Sequence, residues 1–400
     1  MDRDTQTALI DRVLAHMEHG AGLQPVHEVE TEWPVDYYYD PDRYAREVEM
    51  VRRHPFVAAH ASQLAEPGDF VTTTVCERPI VVCRTQEGEL RAFLNVCRHR
   101  GSELVGEPCG AKLRKIVCPY HAWTYELDGR LSHVPDRERS FPALDVRDRG
   151  LVGLAAEERH GLVWVIPDPA GTAAVGDPFV ERFLGPELDA ELADYRIGEY
   201  AVYRQDAWDA EFNWKCGTES FLENYHFSTL HRASTYPIFL NNMGFCHRLG
   251  THFRAVAPKR SIQELREADR EKWDLRPNAT VMYLLFPSTC LFVEKDHFNL
   301  LHVAPAGLNR SKATRTHLVR RLSPRLVEYW DANIEVFMSA VREDFDVCES
   351  MQRGFRSGAN AEVLFGRNEF GCHEYRECIE QALAAPAGAG AAGNGHQQPA

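Results

Sequence analysis

Apolar and polar positions repeat with different periods in different parts of the chain, and these periods divide it before any chemistry is considered. Residues 1–44 read as an adaptable N-terminal arm with one short helix around Thr5–His19. A second helical pattern covers Tyr44–Arg53. From about Gly68 to Ile166 the texture changes to short β-branched runs, Phe70–Val75, Ile80–Arg84 and Leu162–Ile166, separated by Gly, Pro and Asp turns. Residues 45–166 are therefore expected to form a small β-rich domain. The Pro- and Gly-containing stretch Pro167–Pro178 marks a boundary. Beyond it Tyr200–Trp208, Thr280–Phe286, Leu291–Glu294 and Asn299–Val303 read as strands, and Asn213–Thr229 and Pro324–Gly354 as helices. Strands grouped with helices in this way predict an α+β domain over residues 167–383. Residues 384–400 are rich in Ala and Gly with almost no large apolar side chain, so disorder is expected there.

Composition narrows the function. Hydrophobic residues make up 44% and charged residues 26%, the profile of a globular protein. A net charge of −14 argues against nucleic acid as a partner, because phosphate binding needs a basic surface. No apolar run approaches the ~18 residues needed to cross a bilayer, and the N-terminus has no basic segment followed by an apolar core, so neither membrane nor secretion is expected. The eleven cysteines are odd in number and irregularly spaced, which suits a cytoplasmic protein with thiols reserved for metal better than a disulfide framework.

Metal chemistry is where the sequence is most specific. Cys97-Arg98-His99 is followed by Cys118-Pro119-Tyr120-His121. Two such arms can bring two thiolates and two imidazoles together, the thiolates holding one iron of a [2Fe–2S] cluster and the neutral imidazoles the other. Gly101 and Pro119 suit the tight loops that would wrap a cluster. Tetrahedral zinc accepts the same four ligands. Zinc fingers, however, tend to pair Cys with Cys and His with His, whereas here each arm contributes one of each.

A second constellation begins at Asn213 and ends at His226 and His231. Two imidazoles and one carboxylate on one face of iron leave the opposite positions free for O₂ and substrate. On a regular helix His231 would lie about 140° round from His226, so the helix must end or bulge between them. Periodicity selects the carboxylate. Trp330, Ile334, Phe337, Val341 and Cys348 mark a buried stripe, and Asp344 falls on it, whereas Glu343 and Asp346 project away as solvated charges. An ionised carboxylate on an apolar stripe is costly unless paired or bound to metal, which makes Asp344 the third ligand. Glu219 reads as a helix-surface charge.

The run Asn95 to Gly101, with Cys118-Pro119-Tyr120-His121-Ala122-Trp123, resembles the Rieske domain of ring-hydroxylating and related oxygenases, although the family usually has Gly at the position of Ala122. Asn213-Trp214-Lys215, the acid-x2-His-x4-His pattern and the late Glu343-Asp344 resemble the catalytic domain of Rieske oxygenase α subunits. The likeness spans roughly residues 45–380 and includes Gly68-Asp69-Phe70 and Gln352-Arg353-Gly354. It implies a β-rich Rieske domain and a helix-grip-type catalytic domain. The cofactors it implies are one [2Fe–2S] cluster held by Cys97, His99, Cys118 and His121, and one mononuclear Fe²⁺ held by His226, His231 and Asp344. It also implies a ring of subunits, usually a homotrimer, with Glu223 bridging His226 to His121 of a neighbouring copy and Asn213 lining the iron pocket. The chain has no Gly-rich nucleotide loop, so NAD(P)H is expected to act only through a separate reductase, with or without a ferredoxin. The expected reaction is hydroxylation of an aromatic or heteroaromatic substrate, with oxidation or N-demethylation of a quaternary or other amine as the alternative. Several amine-oxidising relatives share the Glu at 223. Tyr283, Phe286, Phe292 and Phe298 could cage a cationic methylamine, or serve as strand core.

Overall fold

Hairpins build the first unit. In the computed structural model, which describes residues 1–19, 26–171, 173–320 and 322–385, Phe70–Val75 pairs antiparallel with Arg78–Arg84. The two-residue turn between them puts Cys76 and Glu77 at φ 49° and 64°, the left-handed geometry that matches strand twist. Leu90–Leu94 and Gly153–Leu154 extend one side of this pair and Cys109–Gly110 the other, giving five strands. A three-stranded sheet, Ile116–Val117, Thr124–Tyr125 and Leu131–His133, packs beside it. The two Cys/His loops follow Leu90–Leu94 and Ile116–Val117, so the two sheets present them to each other. Phe56–His60, Leu162–Val165 and Ala156–Arg159 form a third small sheet.

The second unit is a seven-stranded antiparallel sheet, ordered Ala201–Ala210, Arg310–Val319, His297–Gly307, Thr289–Val293, Ala279–Leu285, His252–Pro258 and Phe245–Leu249. Every residue of Ala279–Leu285 and Thr289–Val293 is buried, because both faces of the sheet are covered. Alternation assigns each side chain its face. Met282, Leu284, Phe292 and Leu301 join a core with Phe345 and Val341 of the long helix Val327–Phe355. Val281, Tyr283, Leu291 and Phe298 join a core with the helices Arg3–His19, Val180–Leu184 and Pro186–Tyr195.

Most expected elements are present, with three corrections. The N-terminal segment is not an adaptable arm: Leu9, Ile10, Val13 and Leu14 are buried in the second core, and Thr31–Pro34 pairs with Glu362–Phe365. The helix expected over Asn213–Thr229 covers only Trp214–Glu219, and turns carry the chain onward. Glu219 is no surface charge, because the helix Phe370–Ala384 covers it; it binds Arg376 at 3.1 Å and accepts from the Tyr38 hydroxyl at 2.6 Å. The tail expected to be disordered, residues 384–400, lies outside the described residues beyond Ala385.

Two candidate metal centres and a shared cavity

The two Cys/His loops are built alike. Cys97 accepts from the amide of Gly101 and donates to the carbonyl of Ser102, at 3.0 and 2.8 Å. Cys118 accepts from Ala122 and donates to Trp123 at the same two distances, 3.0 and 2.8 Å. Each loop therefore needs a left-handed residue four positions after its Cys, and Gly101 (φ 78°) and Ala122 (φ 54°) supply it. Glycine adopts that conformation freely, whereas a β-carbon costs about 1–2 kcal/mol. Ala122→Gly should therefore raise the stability of this unit by about 0.5–1 kcal/mol once the extra freedom of unfolded glycine is offset. Denaturant unfolding of the holoprotein checks it; an unchanged or lower midpoint would mean that the Ala122 conformation costs nothing here.

The loops place their four candidate ligands together. His99 and His121 have ring centroids 4.7 Å apart, and His99 stacks on Trp123 at 4.8 Å. The Cys97 thiol lies 3.4 Å from the Tyr125 hydroxyl and also bonds the Cys118 thiol. Among the described residues the buried Nδ1 atoms of both histidines have no hydrogen-bond partner. Two buried imidazole nitrogens without a protein partner, on the same two loops as a pair of bonded cysteine thiols, fit a cluster that takes all four.

The second centre is equally convergent. His226 Nε2 lies 3.2 Å from His231 Nε2, and Asp344 Oδ1 lies 3.4 Å from the first and 3.1 Å from the second. One ligand atom from each residue lies within 4.8 Å of the other two. Asp344 Oδ1 is buried yet, among the described residues, makes no directed hydrogen bond. Burial pushes the Asp344 carboxyl above its usual range, although both imidazoles pull the other way. Burial lowers each imidazole, but Glu223 and Asp344 raise His226, and Asp344 and Glu343 raise His231, with a net upward result for both. Two imidazole nitrogens and one carboxylate oxygen around a point fit a borderline divalent cation, and the set is that of non-haem iron.

Both imidazoles are held from behind. His226 Nδ1 donates to Glu223 Oε1, and Glu223 Oε2 accepts the amide of Tyr225. This local side-chain bond competes with helix and helps to keep the segment in turns, which resolves the angular conflict between His226 and His231. His231 Nδ1 donates to Glu343 Oε2 at 2.7 Å, and the Ser234 hydroxyl donates to the same oxygen at 2.5 Å. Glu343 was expected to be a solvated charge; only about a third of its side chain is exposed, because His231 comes to it from a separate segment. Its position beside Asp344 was the one available signal. Glu343→Gln should weaken iron retention about 10–100-fold, as loss of an orienting partner typically does. Iron content after graded chelator dialysis measures it, and retention equal to wild type would remove Glu343 from that role.

Asn213 stands elsewhere than expected. Its Oδ1 caps the helix Trp214–Glu219 through the amide of Lys215, and its Nδ2 donates to the Leu308 carbonyl at 3.2 Å, so it is outside the cavity lining. That cavity, about 310 Å³, abuts Glu223, His226, His231 and Asp344. Its apolar wall is Phe221, Phe227, Phe239, Met282, Phe292 and Phe337. Of the four suggested cage aromatics only Phe292 lines it. Tyr283 and Phe298 point into the opposite core, and Phe286 packs against Tyr375.

A thiolate–imidazole centre on a small β unit, with a two-histidine, one-carboxylate centre on an antiparallel sheet, defines a two-centre iron protein. Comparison with known proteins agrees. The Rieske [2Fe-2S] domain matches residues 54–148, and the ring hydroxylating alpha subunit catalytic domain matches residues 197–385. The glycine betaine monooxygenase oxygenase subunit of Chromohalobacter salexigens is 27% identical across 94% of this chain and 91% of its own length. The biphenyl 2,3-dioxygenase subunit alpha of Rhodococcus jostii is 32% identical across 49% of this chain and 42% of that protein. The fold matches the quaternary ammonium Rieske monooxygenase CntA, with TM-score 0.77 and 23% identity over 90% of this chain and 96% of that one. Naphthalene 1,2-dioxygenase from Rhodococcus sp. gives TM-score 0.70 at 20% identity over 96% and 98%. The chain belongs to the Rieske non-haem iron oxygenases. It is an oxidoreductase that incorporates molecular oxygen, and its cofactors are one Rieske [2Fe–2S] cluster and one mononuclear iron.

Proposed function

We propose that this chain is the terminal oxygenase of a multicomponent system and oxidises a small organic molecule bound in the cavity beside His226, His231 and Asp344. The observation that carries this is the convergence of those three ligand atoms on the wall of an apolar cavity in a chain that also holds a Rieske domain. In this proposal Cys97, His99, Cys118 and His121 of the module at 45–166 hold the cluster, and His226, His231 and Asp344 of the module at 167–383 hold the iron. When bound, the cluster supplies single electrons and the iron supplies O₂ activation.

The chain's own residues prepare the site. Glu223 and Glu343 fix the Nδ1–H tautomers of His226 and His231, so that both Nε2 lone pairs face inward. The phenylalanine-rich wall excludes water from the substrate side. Asn213 holds the entry of the site helix in place and stands outside the cavity lining.

Electrons come from a separate NAD(P)H-dependent reductase, directly or through a ferredoxin, and three copies form a ring in the cytoplasm. In that ring Glu223 also accepts from His121 of the partner subunit. Exposed apolar side chains support such docking: Val117 (50%) and Tyr120 (57%) beside the cluster loops, and Tyr225 (61%) beside Glu223. No helix among the described residues is long and apolar enough to cross a membrane.

Two substrate classes fit the cavity, aromatic rings and quaternary or other amines. The near-full-length match to a glycine betaine enzyme favours the second. Oxygen consumption with a surrogate reductase, scored against hydroxylated product and formaldehyde, tests the proposal, formaldehyde marking N-demethylation. A colourless protein carrying zinc and no acid-labile sulfide would end it.

A further inference from the structure

One end of the cavity is polar, and its hydrogen bonding is incomplete. Asn299 lines the cavity and is fully buried; its Oδ1 is 2.8 Å from His317 Nδ1. Burial, with His297 and Arg315 nearby, brings His317 down to about 3, so the ring is neutral and donates through Nδ1. With the amide so oriented, Asn299 Nδ2 has no partner among the described residues. Four more buried nitrogens around it share this condition: His317 Nε2, Trp330 Nε1, and Nε and Nη1 of Arg315.

Their placement follows from register. Asn299 pairs with His317, and Leu301 with Arg315, so His317 and Arg315 share the sheet face that looks toward the long helix. Trp330, near the start of that helix, closes the group with its ring 6.0 Å from His317. Four of the five free atoms are N–H donors, and one side chain is a cation. Arg315 is fully buried, and its ion-pair partner among the described residues is Asp206, which is one-third exposed. Lys259 and Glu294, also on the cavity wall, neutralise each other at 2.8 Å. A buried donor-rich end with a cation behind it is short of acceptors.

We infer that Asn299, backed by Arg315, His317 and Trp330, is the specificity end of the cavity and takes a carboxylate of the substrate. The inference rests on the reading of this cavity as the substrate site. The substrate class is then a small carboxylate whose other end reaches His226, His231 and Asp344.

Two matched pairs test it, glycine betaine against choline and phenylacetate against 2-phenylethanol, titrated calorimetrically into the oxidised holoenzyme. In at least one pair the carboxylate should bind about 10–100-fold more tightly, the worth of a charge-assisted hydrogen bond. Asn299→Asp keeps an acceptor for His317 but puts an acceptor oxygen, anionic when ionised, where the donor stood; it should erase or reverse that preference. Equal affinities within both pairs, no binding of any of the four, or a preference that survives in Asn299→Asp would overturn the inference. If a preference exists and Asn299→Asp erases it, yet none of the four supports oxygen consumption, the carboxylate site stands and the catalytic reading falls.

Discussion

His226→Ala is expected to abolish substrate oxidation while the visible absorption of the oxidised Rieske cluster stays as in wild type. The expectation follows from the separation of the two ligand sets. The cluster loops hang from the small sheets ending at Leu94 and Val117, and none of their hydrogen bonds reaches His226. On the proposed ligand set, removing the imidazole takes one of three ligands from the iron and leaves His231 and Asp344 beside a gap. Two remaining ligands hold a divalent ion weakly, so iron content should fall from two classes of iron to the cluster alone. Turnover should drop by at least about 10³-fold, to the level without catalytic metal. Iron-to-sulfide ratio, the visible spectrum and product formation on one sample decide it. Wild-type turnover would place the reactive iron elsewhere, and loss of the cluster spectrum would show that the two units do not fold independently.

Residues whose chemistry is local could be read directly from the sequence. The Cys/His loops are short motifs on hairpins, and Asp344 betrayed itself as an acid on an apolar stripe that the structure indeed buries. What escaped depends on long-range packing. Glu343 looked like solvent-facing charge because helix periodicity says nothing of a turn that brings His231 to its flank. Glu219 misled for the same reason, since Tyr38 and Arg376 reach it from opposite ends of the chain. The N-terminal helix reads as part of an adaptable arm because its buried face is matched by residues that follow only from Ala155 onward. Asn213-Trp214-Lys215 and Gln352 carried the family resemblance without being reactive. Gln352 accepts the Asn213 amide at 2.8 Å, tying the long helix to the start of the site helix.

That tie has a charged counterpart with a large energetic consequence. Lys215 is fully buried, and its ammonium bonds Glu47, which is also fully buried. Glu47 accepts in addition from Trp214 Nε1 at 3.3 Å and Arg43 Nε at 2.7 Å. Glu47→Gln keeps the shape but leaves the ammonium in a low-dielectric pocket without its counter-charge, which should cost about 3–5 kcal/mol. Adding Lys215→Met removes the stranded charge, and the double variant should recover most of that loss, since well-packed apolar replacements of buried pairs are often near neutral. Burial already pulls Lys215 below its ordinary range, against the opposing pull of Glu47. Without Glu47 the pull is larger, so the unfolded chain binds more protons than the folded one. The stability of Glu47→Gln should therefore rise with pH as the folded-state pKa is passed and continue rising toward about 10. Denaturant unfolding of wild type, both single variants and the double variant across pH supplies the cycle. Additive single effects, or a Glu47→Gln loss below about 1 kcal/mol, would show that the pair is not coupled. Because the Trp214–Glu219 helix leads directly into the turns bearing Glu223, His226 and His231, Glu47→Gln should also release iron more readily, although Glu47 touches no ligand.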